Sequence, residues 1–105
     1  MDKKKEAIRR VAQMEDIFDK ATQKMDDLER LIEEFEEYQS EIKILEEYLA
    51  SQDWKDDFES DEKGEFPADL KRGVLSEDGI YNLLERNKEL MEVIFQYKCE
   101  GMKKR

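Results

Sequence analysis

The chain contains no histidine, and that single absence removes both the commonest general base and the commonest metal ligand. It has one cysteine, Cys99, so an internal disulfide is impossible and a cysteine metal cluster is excluded; a reducing, cytoplasmic setting is the expectation. No apolar run is longer than three residues, far below the roughly 20 that a membrane-spanning helix needs. Lys3–Lys5 have no apolar stretch behind them, which argues against a signal peptide. Proline occurs once and tryptophan once, and residues 1–63 contain neither proline nor glycine.

What is present is charge. Charged residues make up 46% of the 105 residues against 38% hydrophobic ones, and the net charge is −10. A balance this polar borders on disorder unless the apolar residues are regularly spaced. The acidic excess also excludes a broad nucleic-acid footprint, which requires a basic face. The charge is uneven. Residues 26–65 hold 17 acidic and 4 basic residues, whereas residues 1–10 hold 5 basic and 2 acidic. Residues 98–105 are again basic, with 4 against 1. Basic ends around an acidic middle suit antiparallel or end-to-middle pairing between subunits, and more simply suit plain solubility.

The apolar residues do recur regularly. Val11, Met14, Phe18, Ala21, Met25, Leu28, Ile32 and Phe35 step by three and four, the spacing of a heptad seam. Continuing that frame would put Gln39 and Glu46 in the seam. Instead Phe35, Tyr38, Ile42, Leu45 and Leu49 resume the rhythm after one extra step of three, a stammer that overwinds a coiled coil. With no breaker in this region, the spacing predicts one long helix over 3–51, roughly 70 Å at 1.5 Å per residue. A second seam, Ile80, Leu83, Asn87, Leu90, Ile94 and Tyr97, predicts a return helix over 76–100 ending at Gly101, with a basic tail over 101–105. An Asn at a seam position either fixes register or oligomer state, or lies at an edge beside water.

Between the two arms lies a punctuated stretch, 53–75, expected to form a structured crossover of two short helices. Asp53 is the expected N-cap of the first, with Trp54 and Phe58 on one face and Gly64 as a left-handed stop. Pro67 is expected to open the second, which presents Leu70 and stops at Gly73 with positive φ. Ser76 is the expected cap of the return helix. Lys71 and Arg72 either pair with Asp57, Glu59, Asp61 or Glu62, or hold an anion beside that cap. Paired glutamates (Glu33–Glu34, Glu36–Glu37, Glu46–Glu47) invite a Mg²⁺-dependent nucleotide hydrolase, but the first two pairs flank Phe35 and point to solvent by the heptad count. No catalytic, cofactor or metal residues are therefore assigned, and the chain is expected not to be an enzyme.

The run W-x-x-D-F-E-x-D-E-x-G-x-x-P-x-D-L-K-R-G-V-L-S-E-D-x-I-Y-x-L-L, which begins at Trp54 and lies in a match reaching about Glu85, resembles the signature of a family of small bacterial proteins classed as domain of unknown function 4298. The resemblance implies a compact bacterial helical domain with no assigned activity. Relatives in gene regions for bacteriocin production and immunity imply, as an alternative role, an immunity- or antitoxin-like binder of a basic partner.

The expected fold is all-α: a long heptad helix, a two-short-helix crossover and an antiparallel return helix in a single domain. A return helix over 77–100 spans roughly 36 Å, so it covers the first arm only back to about Met25. Val11, Met14, Phe18 and Met25 are then the expected interface of a homodimer, with an unidentified protein as a further partner. A bend at Asp26–Asp27, folding residues 5–25 back into a monomeric three-helix bundle, is the competing outcome.

Overall fold

The first 37 residues of the sequence carry nothing that opposes a helix, and the computed structural model, which describes residues 2–103, forms one there: α1, Asp2–Glu37. Good helix formers fill its polar faces, and local pairs support them, Lys20 with Asp16 at 3.0 Å and Arg30 with Asp27 at 3.3 Å. The helix passes through Asp26 and Asp27 without interruption, so the competing bend there does not occur.

The ladder breaks instead at Tyr38, and the single helix expected over 3–51 is two: α1 and α2, Gln39–Leu49. The break falls in the stammer. Tyr38 has φ −76° and ψ −7°, short of the usual helical ψ of about −42°. Its carbonyl accepts from both Glu41 N and Ile42 N, a tightened first turn for the new helix. The chain divides at this point into two units, 1–37 and 38–105. α1 buries no residue.

In the second unit, α2 is followed by α3, Gln52–Glu62, then by a 3-10 turn, Gly73–Leu75, and by α4, Gly79–Lys103. No strand occurs among the described residues. α4 returns along α2 as the second arm of a helical hairpin. The buried apolar side chains are Ile42 from α2, Leu75 from the 3-10 turn and Ile80 from the start of α4, so the core sits where the crossover closes the hairpin.

Several crossover details differ from expectation. Ser51, not Asp53, caps α3: its Oγ accepts from Trp54 N at 3.2 Å, and Asp53 lies in the first turn. Gly64 takes the expected left-handed conformation, φ +72°. Glu65 N donates to Ser60 O and Gly64 N to Asp61 O, the paired bonds of a Schellman stop. Pro67 opens no second helix; Leu70 N donates to Pro67 O in a single turn, too few apolar residues following to make a longer helix worth its ordering. Gly73 starts the 3-10 turn and has no positive φ. Ser76 closes that turn rather than capping α4. Its hydroxyl donates to Gly73 O at 2.8 Å, and the first α4 bond runs from Asn82 N to Asp78 O. Gly101 does not end α4, which continues to Lys103; Lys104 and Arg105 of the expected tail lie outside the described residues.

Candidate interaction surface

Helical spacing puts the seam residues of α1 on one stripe, and most of that stripe faces solvent, with Ala21, Ile32 and Phe35 half-buried. Val11 is 57% exposed, Met14 54%, Phe18 66% and Met25 62%, with Ile8, Ile17, Leu28 and Leu31 also more than half exposed. Side chains of this size seldom stay in water as a continuous row. The glutamates beside the stripe, Glu33 and Glu34, and those of α2, Glu46 and Glu47, are exposed. Among the described residues no group of three or more Cys, Asp or Glu side chains converges as a metal site.

The crossover brings its named residues together by specific bonds. Trp54 and Phe58, one turn apart on α3, stack with ring centroids 5.2 Å apart at 21°. The indole N–H donates to Val74 O at 2.8 Å, tying α3 to the 3-10 turn, while Leu70 remains about half exposed. Arg72 pairs with Asp61 at 2.9 Å, both side chains half-buried, so the guanidinium is engaged within the crossover; Lys71 is exposed. Tyr81 points to solvent and Cys99 is a half-buried free thiol.

Three polar contacts have no place in the sequence reading. Tyr48 Oη donates to Asp57 Oδ2 at 2.6 Å, which locks the end of α2 to α3. Partial burial, then this bond and the negative charge of Asp57, push the Tyr48 hydroxyl up to about 12. Ser51 Oγ donates to Tyr48 O at 2.6 Å while capping α3, joining the same two helices through the backbone. Gln39 and Asn87 exchange two amide bonds, Gln39 Nε2 to Asn87 Oδ1 and Asn87 Nδ2 to Gln39 Oε1, each 3.0 Å. A signal for this pair was available. Extending the first seam past Phe35 lands on Gln39, and the second seam contains Asn87, so both arms carry an amide at a seam position.

Beside the amide pair, α2 and α4 leave an open groove with Ile42, Leu84, Met91 and Phe95 as its apolar lining and with charges of both signs, Lys43 and Lys88 against Glu46, Glu85 and Glu92. No helix among the described residues is long and apolar enough to cross a membrane.

Taken from residues upward, this is a small all-α protein: a helical hairpin clamped by polar bonds, and a helix with an exposed apolar stripe. The model of the family described as Domain of unknown function (DUF4298) matches residues 11–97, and the chain belongs to that family. No curated protein and no solved structure matches the chain.

Proposed function

We propose that the protein is a non-enzymatic helical interaction module that self-associates through α1, most simply as a homodimer. The observation that carries this reading is the α1 stripe: eight large apolar side chains, from Ile8 to Leu31, each more than half exposed. At about 25 cal/mol per Å² of apolar surface removed from water, covering such a stripe stabilises a complex by several kcal/mol before association costs. The seam geometry supports a helix as the covering element, because a three–four spacing meshes with a second helix of the same kind. The half-buried free thiol of Cys99 supports a reducing compartment such as the cytoplasm.

Light scattering at micromolar concentration tests the proposal. The expected mass is about twice the 12.7 kDa of one chain, and Phe18→Asp is expected to return it to one chain while leaving Trp54 emission unchanged. A wild-type mass of one chain would overturn the proposal.

A further inference from the structure

We infer that two copies pair through α1 in antiparallel orientation, centred on Gln23, so that Met14 meets Ile32 of the partner copy, Phe18 meets Leu28 and Ala21 meets Met25. This rests on the self-association proposed above and adds its orientation and register. α1 is one continuous helix across all of these positions, which keeps a single seam in register along its length.

Three observations select the antiparallel arrangement. The first is volume. Each antiparallel layer sets residues whose numbers sum to 46 against each other; the two central layers combine large with small, Met25 with Ala21, and Phe18 meets the smaller ring-free Leu28. A parallel pair sets like against like, Phe18 on Phe18 beside Ala21 on Ala21, so an overfilled layer adjoins an empty one. The second is the pair of apolar residues off the seam. Ile17 and Leu31, 59% and 54% exposed, lie on the same flank of the stripe. Antiparallel pairing brings each against the other across the flank, whereas parallel pairing sets them against Thr22 and Glu36. The third is charge. Residues 26–37 hold seven acidic residues and one basic residue. In a parallel pair this segment lies along its own copy. In the antiparallel pair it lies along residues 9–20, which hold three of each sign.

One feature favours the opposite orientation. A parallel pair would set Arg10 near Glu15 and Lys24 near Glu29 across the flanks, each twice by symmetry, and the antiparallel pair sets Glu15 near Glu29 and Lys24 near its own copy instead. Exposed ion pairs of this kind change an association constant by roughly twofold each. An emptied apolar layer changes it by roughly thirtyfold or more. The antiparallel pairing rests on that packing term together with the Ile17–Leu31 flank contacts.

The test is a distance. With Cys99→Ser removing the native thiol, a spin label is placed at Lys4→Cys, an exposed position one heptad before Val11 and so beyond the first apolar layer. Antiparallel pairing centred on Gln23 separates the two labels by 38 residues of rise, roughly 57 Å, whereas parallel pairing brings them within roughly 20 Å. A dimer with the long distance is the expected result. A dimer with the short distance overturns the orientation and leaves self-association standing; a monomeric mass overturns both. Register is read separately by mixing Met14→Cys and Ile32→Cys copies in a thiol redox buffer, one of them tagged. The mixed disulfide is expected to dominate, and a predominance of like-with-like disulfides, or no cross-link in a dimer, overturns the pairing.

Discussion

A methyl group built on Gly79 would run into the carbonyl oxygen of Gly73, because the chain doubles back between the 3-10 turn and α4. Around Gly73 itself there is open space, and its φ is ordinary. Gly79→Ala is therefore expected to lower stability by about 1–3 kcal/mol, and Gly73→Ala to leave the melting temperature nearly unchanged. Equal effects of the two substitutions in thermal denaturation would contradict this reading. Tyr48 makes a prediction in pH. Its hydroxyl is raised from 10.0 to about 12, so the folded protein holds that proton more tightly than the unfolded chain. The stabilisation is complete below about pH 10 and is lost as pH rises toward 12. Tyr48→Phe removes the bond to Asp57, with an expected cost of about 1 kcal/mol at pH 7 and a flatter stability profile between pH 10 and 12. An unchanged profile in denaturant titrations across that window would show that Tyr48 has no part in it.

At the scale of elements, the periodicity of the sequence carried the two helical arms, the glycine stop at Gly64 and the Trp54–Phe58 face, because each depends on residues three or four apart. Within the second seam, Leu83, Leu90 and Tyr97 are exposed, and Leu84 and Met91 take the less exposed positions between Ile80, Asn87 and Ile94. The end of α1 was not legible in the same way. Nothing in residues 1–63 breaks a helix, yet the stammer at Phe35–Tyr38 marks the place where one frame ends and another begins. Cap positions were also ambiguous. Ser51 and Asp53 are both good caps, and the choice fell to Ser51, whose hydroxyl also donates back to Tyr48 O three residues earlier, a local bond that a carboxylate cannot make. The same holds for Ser76, whose hydroxyl is used by Gly73 O in the turn before α4. The Gln39–Asn87 pair is the element-level feature with the clearest consequence. Asn87→Leu alone strands the partner amide, at an expected cost of about 1–2 kcal/mol given that both side chains are only half-buried. Gln39→Leu with Asn87→Leu is expected to recover most of that loss, since both polar partners are removed together. Additive losses in the double-mutant cycle would show that the two amides are not coupled. If the pair fixes the register of α2 on α4, the double variant will also show broader side-chain resonances than the wild type despite its restored stability.

For the whole molecule, stability is divided unevenly between the two units. The hairpin unit has a small core around Ile42, Leu75 and Ile80, supported by the Trp54–Val74 and Tyr48–Asp57 bonds. α1 buries nothing, and an isolated helix owes most of its stability in water to packing of its apolar face. If a second copy supplies that packing, the helicity of α1 depends on protein concentration by mass action, while the surroundings of Trp54, which lie in the other unit, do not. Two probes then separate. The melting midpoint from helical circular dichroism is expected to rise by several degrees between 5 and 100 μM protein (concentrations of roughly this order bracket a micromolar dimer), and the midpoint from Trp54 fluorescence is expected to stay fixed. Phe18→Asp is expected to abolish the concentration dependence and to lower the helical signal below the wild-type value, with the Trp54 transition unmoved. A single transition, coincident by both probes and independent of concentration, would mean that α1 is held by something other than a second copy.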